Sequence, residues 1–186
     1  MAPEQRRQHL IGAVIPLLAQ QGGELTTAQI ANAAGVSEGT IFRLFEDKQA
    51  LMDEALKAAL DPTQAADDVR GVLAEAEPLE RLSRAADRIR HHFRTALPLM
   101  HAALRQGPKM ETSMAIGHMF QSLLGATEQL FSEEIEAGRV RGDAQELARM
   151  LVGMCQAVVW QDFFDRGPHR METTSFVGVL LDGCRA

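Results

Sequence analysis

Residues 26–48 read TTAQIANAAGVSEGTIFRLFEDK, and this stretch decides the fold. Thr26 followed by Gln29 has the spacing of a capping box, in which the two side chains satisfy free backbone donors, and it predicts a helix over 27–34. Ser37 stands where a cap opens a second helix over 38–44, and Asp47 opens a third over 48–60. Between the first two, Gly35 supplies the left-handed backbone that a very short turn demands. Ala31 is small where the two helices cross, and Ile41 plugs the core they share. Two short helices on such a turn form a helix-turn-helix pattern.

At 100° per residue, Ile41, Leu44 and Phe45 fall on one side of the second helix, and Gly39, Thr40, Phe42 and Arg43 on the other. That outer face is small, flat, and polar with one aromatic, which suits the major groove of duplex DNA. There Arg reaches guanine, Glu accepts from cytosine and Phe touches a thymine methyl. Glu38, Gly39, Phe42 and Arg43 are therefore the candidate base contacts. Thr26, Thr27, Thr40 and Lys48 are the candidate phosphate contacts, with Arg6 and Arg7 in reach of the sugar-phosphate backbone. The same spacings also fit an ordinary helical pair whose Thr and Ser residues only cap. Charge does not separate the two readings. Over residues 1–48, Arg6, Arg7, Arg43 and Lys48 stand against Glu4, Glu24, Glu38, Glu46 and Asp47, a balance of −1 where a basic face is the usual footprint.

Outward from this motif, Leu10, Ile11, Val14, Ile15, Leu17 and Leu18 form the wide stripe of an amphipathic first helix that ends at Gly22-Gly23 and bends at Pro16. Asp61-Pro62-Thr63-Gln64 interrupts the chain, and a short amphipathic piece follows over 65–74. Pro78 sits where a helix takes its first residue, and the pattern continues through Pro98 to Gln106, before Gly107-Pro108 stops it. Three more helices are expected near 112–137, closed by Gly138, near 143–165, opened by Asp143 with Glu146, and near 173–184. The chain has no Tyr, one Trp and nine Met, and no alternating run of β-branched residues, so the fold class is all-α.

With 186 residues, 46% of them hydrophobic and 24% charged, the chain suits one compact unit or two small ones. No run approaches the roughly 18 to 20 apolar residues that span a bilayer, and Met1 to Arg7 leads into no signal-like segment. A soluble, cytoplasmic protein is expected. Cys155 and Cys184 are too few for a disulfide scaffold or zinc cluster. Net charge of −6 makes contact with a polyanion depend on local, well-placed groups.

A single reading helix spans few base pairs, so specificity needs two, about 34 Å apart on a two-fold dimer. The helix near 143–165 is apolar over a wide arc, and the last helix continues the surface. Leu151, Cys155, Val158, Val159, Phe176 and Leu180 are the candidate homodimer interface, in an antiparallel four-helix contact. Both stripes also fit the core of one chain. Phe93, Met100, Leu104, Met114, His118, Trp160 and Phe163 can line an adaptable pocket for a mostly apolar small-molecule effector, although each equally fits plain core. His91 and His92 point about 100° apart and have no ligand partner at suitable spacing. No metal and no cofactor are expected. A nucleophile elbow, a phosphate loop and paired hydrolase-like carboxylates are all missing, which argues against an enzyme.

The stretch Thr26 to Leu51, T-x-x-x-I-A-x-A-A-G-V-S-x-G-T-I-F-R-x-F-x-x-K-x-x-L, resembles the TetR family of bacterial transcriptional regulators. The resemblance implies a DNA-binding head over 1–47 and a helical ligand-binding and dimerisation domain over 48–186. It further implies a dimeric regulator, a repressor reading a palindromic operator and released by a small ligand. The family most often has Tyr at the position of Phe42 and often His at that of Leu44, both helping to hold phosphate. Their replacement leaves open a helical dimerisation or ligand-binding protein whose DNA head is weak or vestigial.

Overall fold

The structure is a computed structural model of the chain and describes residues 3–21, 25–72, 77–105, 110–164 and 171–183. Its helices are α1 (Pro3–Gln21), α2 (Thr27–Ala34), α3 (Glu38–Leu44), α4 (Lys48–Ala59), α5 (Pro62–Arg70), α6 (Pro78–Arg105), α7 (Met110–Glu136), α8 (Ala144–Phe164) and α9 (Thr173–Asp182). Every regular element among the described residues is helical, as the composition predicts. None of these helices is long and apolar enough to cross a membrane.

Local signals set most of the boundaries. The Thr26–Gln29 capping box is present in full, Asp47 caps α4 by accepting from the Ala50 N–H at 2.7 Å, and Asp143 caps α8 by accepting from Glu146 N–H at 2.9 Å. Gly138 ends α7 with φ 70°. Pro78 takes the first position of α6, as expected. The segment after Asp61 differs from expectation. Pro62 opens α5 instead of interrupting the chain, and Gly71 ends it, so the helix spans Pro62–Arg70 instead of 65–74. A proline at the first turn loses no intrahelical hydrogen bond, which is why it starts this helix. Ser37 occupies the N-cap of α3 but makes no side-chain capping bond; its hydroxyl pairs with that of Thr40 at 3.0 Å. Helices α1 and α6 run on through Pro16 and Pro98. The expected stops at Gly22-Gly23 and Gly107-Pro108 lie outside the described residues, as does Cys184.

Contacts divide the chain into two compact units. The first joins Met1–Asp61 with Arg94–Ile116, and the second joins Pro62–Phe93 with Gly117–Ala186. In the first, α1 packs on α2, α3 and α4 around Leu10, Ile11, Val14, Ile30, Ile41, Phe45 and Leu51, all buried. Each such side chain contributes on the order of 1.5–3 kcal/mol of transfer free energy.

The second unit buries Leu82, Ile89, Leu123, Phe131, Leu151, Val152 and Val177 and also encloses charge. Glu134 is fully buried. Its carboxylate accepts from Arg81 at 2.8 Å and from both Nε and an Nη of Arg139, at 2.8 and 2.9 Å. Arg81 also pairs with Glu133. Elsewhere in this unit, the buried His92 ring lies 3.0 Å from Asp68, which clasps α6 to α5. Burial holds the His92 pKa below its ordinary 6.5, against the opposing pull of Asp68.

Two outcomes follow from these buried groups. Glu134→Gln leaves the Arg81 guanidinium short of its counter-charge and should cost about 3 kcal/mol, read as a lower urea midpoint. The folded state resists protonating His92, so the neutral ring's contribution is present above the ordinary 6.5 and is lost as pH falls from there through the lower folded-state value. Stability measured between about pH 7.5 and 5.5 should therefore fall less steeply in His92→Asn than in the wild type; parallel curves would remove His92 as the cause.

Candidate nucleic-acid interface

The turn between α2 and α3 is built on Gly35, whose φ of 63° and ψ of 34° are left-handed. Its N–H and that of Val36 turn back onto the end of α2, Val36 N–H reaching the Ala31 carbonyl at 2.9 Å, the pairing of a Schellman ending. The chain then reverses into α3 within two residues. On α3, Ile41 and Phe45 face inward, with 0% and 2% exposure, whereas Phe42 is 53% exposed. Gly39 and Arg43 are also exposed, and Thr40 is half-buried. The outward face is the one expected from the helical wheel.

The polar groups around this face already have partners within the head. Thr27 donates its hydroxyl to the Glu38 carboxylate, linking the N-terminal ends of α2 and α3. The Thr26 hydroxyl accepts from Gln29 N–H at 3.2 Å and lies 3.0 Å from the Gln29 amide oxygen. Lys48 donates its ammonium to the Leu25 carbonyl at 3.0 Å. Of the candidate base contacts, Gly39, Phe42 and Arg43 thus stand outward together, while Glu38 is exposed but engaged. The candidate phosphate contacts Thr26, Thr27, Thr40 and Lys48 lie on the same three-helix head. Contact with phosphate would exchange existing bonds for new ones, which costs little net free energy.

Arg7 differs from expectation. Its guanidinium is committed inside the head to Glu54, to the Leu44 carbonyl and to the face of Phe45, 4.3 Å from the ring centroid. It is therefore not extended toward a DNA backbone. Nothing in the sequence pattern pairs positions 7 and 54. The only available signal is the combination of an Arg early in one amphipathic helix and a Glu on the inward half of another.

The candidate dimer residues are placed mostly inside the chain. Leu151, Cys155, Val158, Val159 and Phe176 are buried, and Leu180 is half-buried. Burial pushes the Cys155 thiol up to about 12. These residues fill the second unit's own core because an apolar arc wider than the contact it serves turns its centre inward. The outward faces of α8 and α9 carry Met150, Trp160, Phe164 and Val179, the last 75% exposed.

The candidate pocket residues fall in both units. Phe93 is buried, with its ring 6.2 Å from Phe120. Trp160 stacks on Phe164 at 5.3 Å, and Phe163 meets Phe164 edge-on at 5.1 Å. His118 and Met114 are exposed and Met100 is half-buried; the side chain of Leu104 lies outside the described residues. Met100, Leu104 and Met114 belong to the first unit, and Phe93, His118, Trp160 and Phe163 to the second. A cleft of about 560 Å³ in the second unit is lined by Arg84, Asp87, Arg88 and His91 with Gly71 and Val72. A smaller one, about 120 Å³, lies between α4 and the start of α7. Neither of these two clefts is lined by a residue of the expected set. Among the described residues, no group of His, Cys, Asp and Glu is arranged to hold a metal.

Comparison with known proteins agrees with this geometry. Residues 10–55 match the family described as bacterial regulatory proteins, tetR family. Over 83 residues the chain is 39% identical to the HTH-type transcriptional regulator HbdR of Aromatoleum sp. (strain CIB); the match covers 44% of this chain and 36% of that relative's length. Among solved structures, the chain is similar over its whole length to a TetR-family regulator from Mesorhizobium loti, with TM-score 0.70 and 21% identity, and all of that chain is covered. A TetR-family regulator from Agrobacterium tumefaciens gives the same TM-score and coverage at 14% identity. The fatty acid degradation regulator FadR from Bacillus halodurans gives 0.60 at 20% identity, covering 95% of this chain and 93% of its own.

A Cβ at position 35 would meet no atom within 4 Å, so Gly35→Ala tests the backbone alone. Placing an L side chain in the left-handed region should destabilise the protein by about 1–2 kcal/mol. Denaturant titration should show a lower midpoint with the transition slope unchanged; no loss would mean that the turn does not depend on this conformation.

Proposed function

We propose that this chain, a member of the TetR family of bacterial transcriptional regulators by its helix-turn-helix head, is a homodimeric repressor of a palindromic operator. The observation that carries the reading is the outward face of α3. Phe42 and Arg43 project beside Gly39, while Ile41 and Phe45 anchor the helix from behind. Arg43 reads guanine and Phe42 packs on a thymine methyl, with Glu38 at the helix start accepting through its second carboxylate oxygen while the first keeps the Thr27 hydroxyl. Thr26, Thr27, Thr40 and Lys48 hold the flanking phosphates. Two such heads on a two-fold axis read half-sites about one helical turn apart.

The dimer face in this reading is the outward side of α8 and α9, through Met150, Trp160, Phe164 and Val179. Exposed large apolar side chains gathered on two helices of one unit favour a partner. Release is by a small, mostly apolar ligand. The aromatic side chains of Phe93, Phe120 and Phe163 support that chemistry. A tenfold loss of operator affinity requires the ligand to favour the released form by about 1.4 kcal/mol.

Selection of bound duplexes from a random pool at stated salt should return an inverted repeat. With that duplex, Arg43→Ala should lose about 1–3 kcal/mol and relax preference at one base pair per half-site. Recovery of no enriched sequence, or an Arg43→Ala protein that binds like wild type, would instead favour a vestigial head.

A further inference from the structure

We propose that Arg7 is the positioning residue of the reading helix: from α1 it fastens the C-terminal end of α3 to α4, and so fixes the direction in which Phe42 and Arg43 point. This rests on the DNA-binding reading of α3 given above.

Three observations meet at one guanidinium. Nε of Arg7 donates to Glu54 Oε2 at 2.8 Å, and an Nη donates to the other oxygen of the same carboxylate. The remaining Nη donates to the Leu44 carbonyl. Leu44 is the last residue of α3, where backbone carbonyls lack helical partners and need another donor. The plane of the group lies over the Phe45 ring at 4.3 Å, and Phe45 is buried. One side chain thus touches α1, α4 and the residue at which α3 stops.

Half-exposed ion pairs usually contribute little, because one flexible contact is offset by solvent and side-chain entropy. This one is different in geometry. A planar fork engages both carboxylate oxygens, the carbonyl and the ring at once, which fixes its own rotation as well as its position. A lysine ammonium is a point charge that cannot do all of this. The opposite end of α3 is held by the bond from Thr27 to Glu38. A helix of seven residues held at both ends cannot swivel on its Ile41 plug. Any displacement of α4 reaches Leu44 through Glu54 and Arg7.

The test uses the full chain and the duplex returned by selection, with a scrambled duplex as control. Arg7→Lys and Glu54→Gln should each weaken binding to the selected duplex about tenfold and leave the scrambled duplex unaffected. The double variant should match the singles, and the slope of log affinity against log salt should stay at its wild-type value. If Arg7 instead met phosphate, Arg7→Lys would bind as wild type, Glu54→Gln would bind no worse, and the proposal would be overturned. If the clasp only stabilised the head, melting temperatures would fall while the ratio of selected to scrambled binding held, and this too would overturn it. Glu54→Gln keeps an acceptor oxygen and carries the test alone should Arg7→Lys not fold. Failure of the wild type to select any duplex would sink the reading of α3 itself, whereas a selecting wild type with unchanged variants would sink only the role of Arg7.

Discussion

A helix of seven residues has no stability of its own, since nucleation costs more than so few hydrogen bonds return. Everything proposed for α3 depends on how its inner face is gripped. Ile41 and Phe45 supply that grip, both buried where α3 packs on α1 and α2. Their spacing fixes which residues remain outside, and Gly35 fixes where the helix begins. The polar bonds at its two ends then remove the freedom that apolar packing leaves, because packing is non-directional and hydrogen bonds are not.

The head also shows how a protein of net negative charge can be suited to a polyanion. Three of its acidic side chains have partners: Glu54 is ion-paired with Arg7, Glu38 accepts from Thr27, and Asp47 accepts from the amide of Ala50. What remains outward on α3 is a guanidinium, an aromatic ring and a glycine. Local complementarity of this kind favours recognition of bases over strong non-specific attraction.

The second unit follows a different rule. It places Arg81, Arg90 and Glu134 inside, with the His92 ring also buried, and there each charge needs a partner and an unpaired one is costly. Such clusters hold helices in one register, since a helix shifted by one residue would strand a charge. Met150, Trp160 and Val179 are exposed on helices whose opposite faces already fill the core.

Unlike the limits of α5, those of α2, α3 and α4, the left-handed turn and the inner and outer faces of α3 were legible in the sequence. Each depends on residues within about five positions of one another, where backbone geometry leaves few alternatives. The stripe containing Cys155 and Val158 was legible as apolar, but not as core or interface, because periodicity gives a face and not what covers it. Which carboxylate Arg7 meets was decided by tertiary structure alone. Arg7 and Glu54 are 47 positions apart, and only the packing of α1 on α4 brings them within hydrogen-bond range.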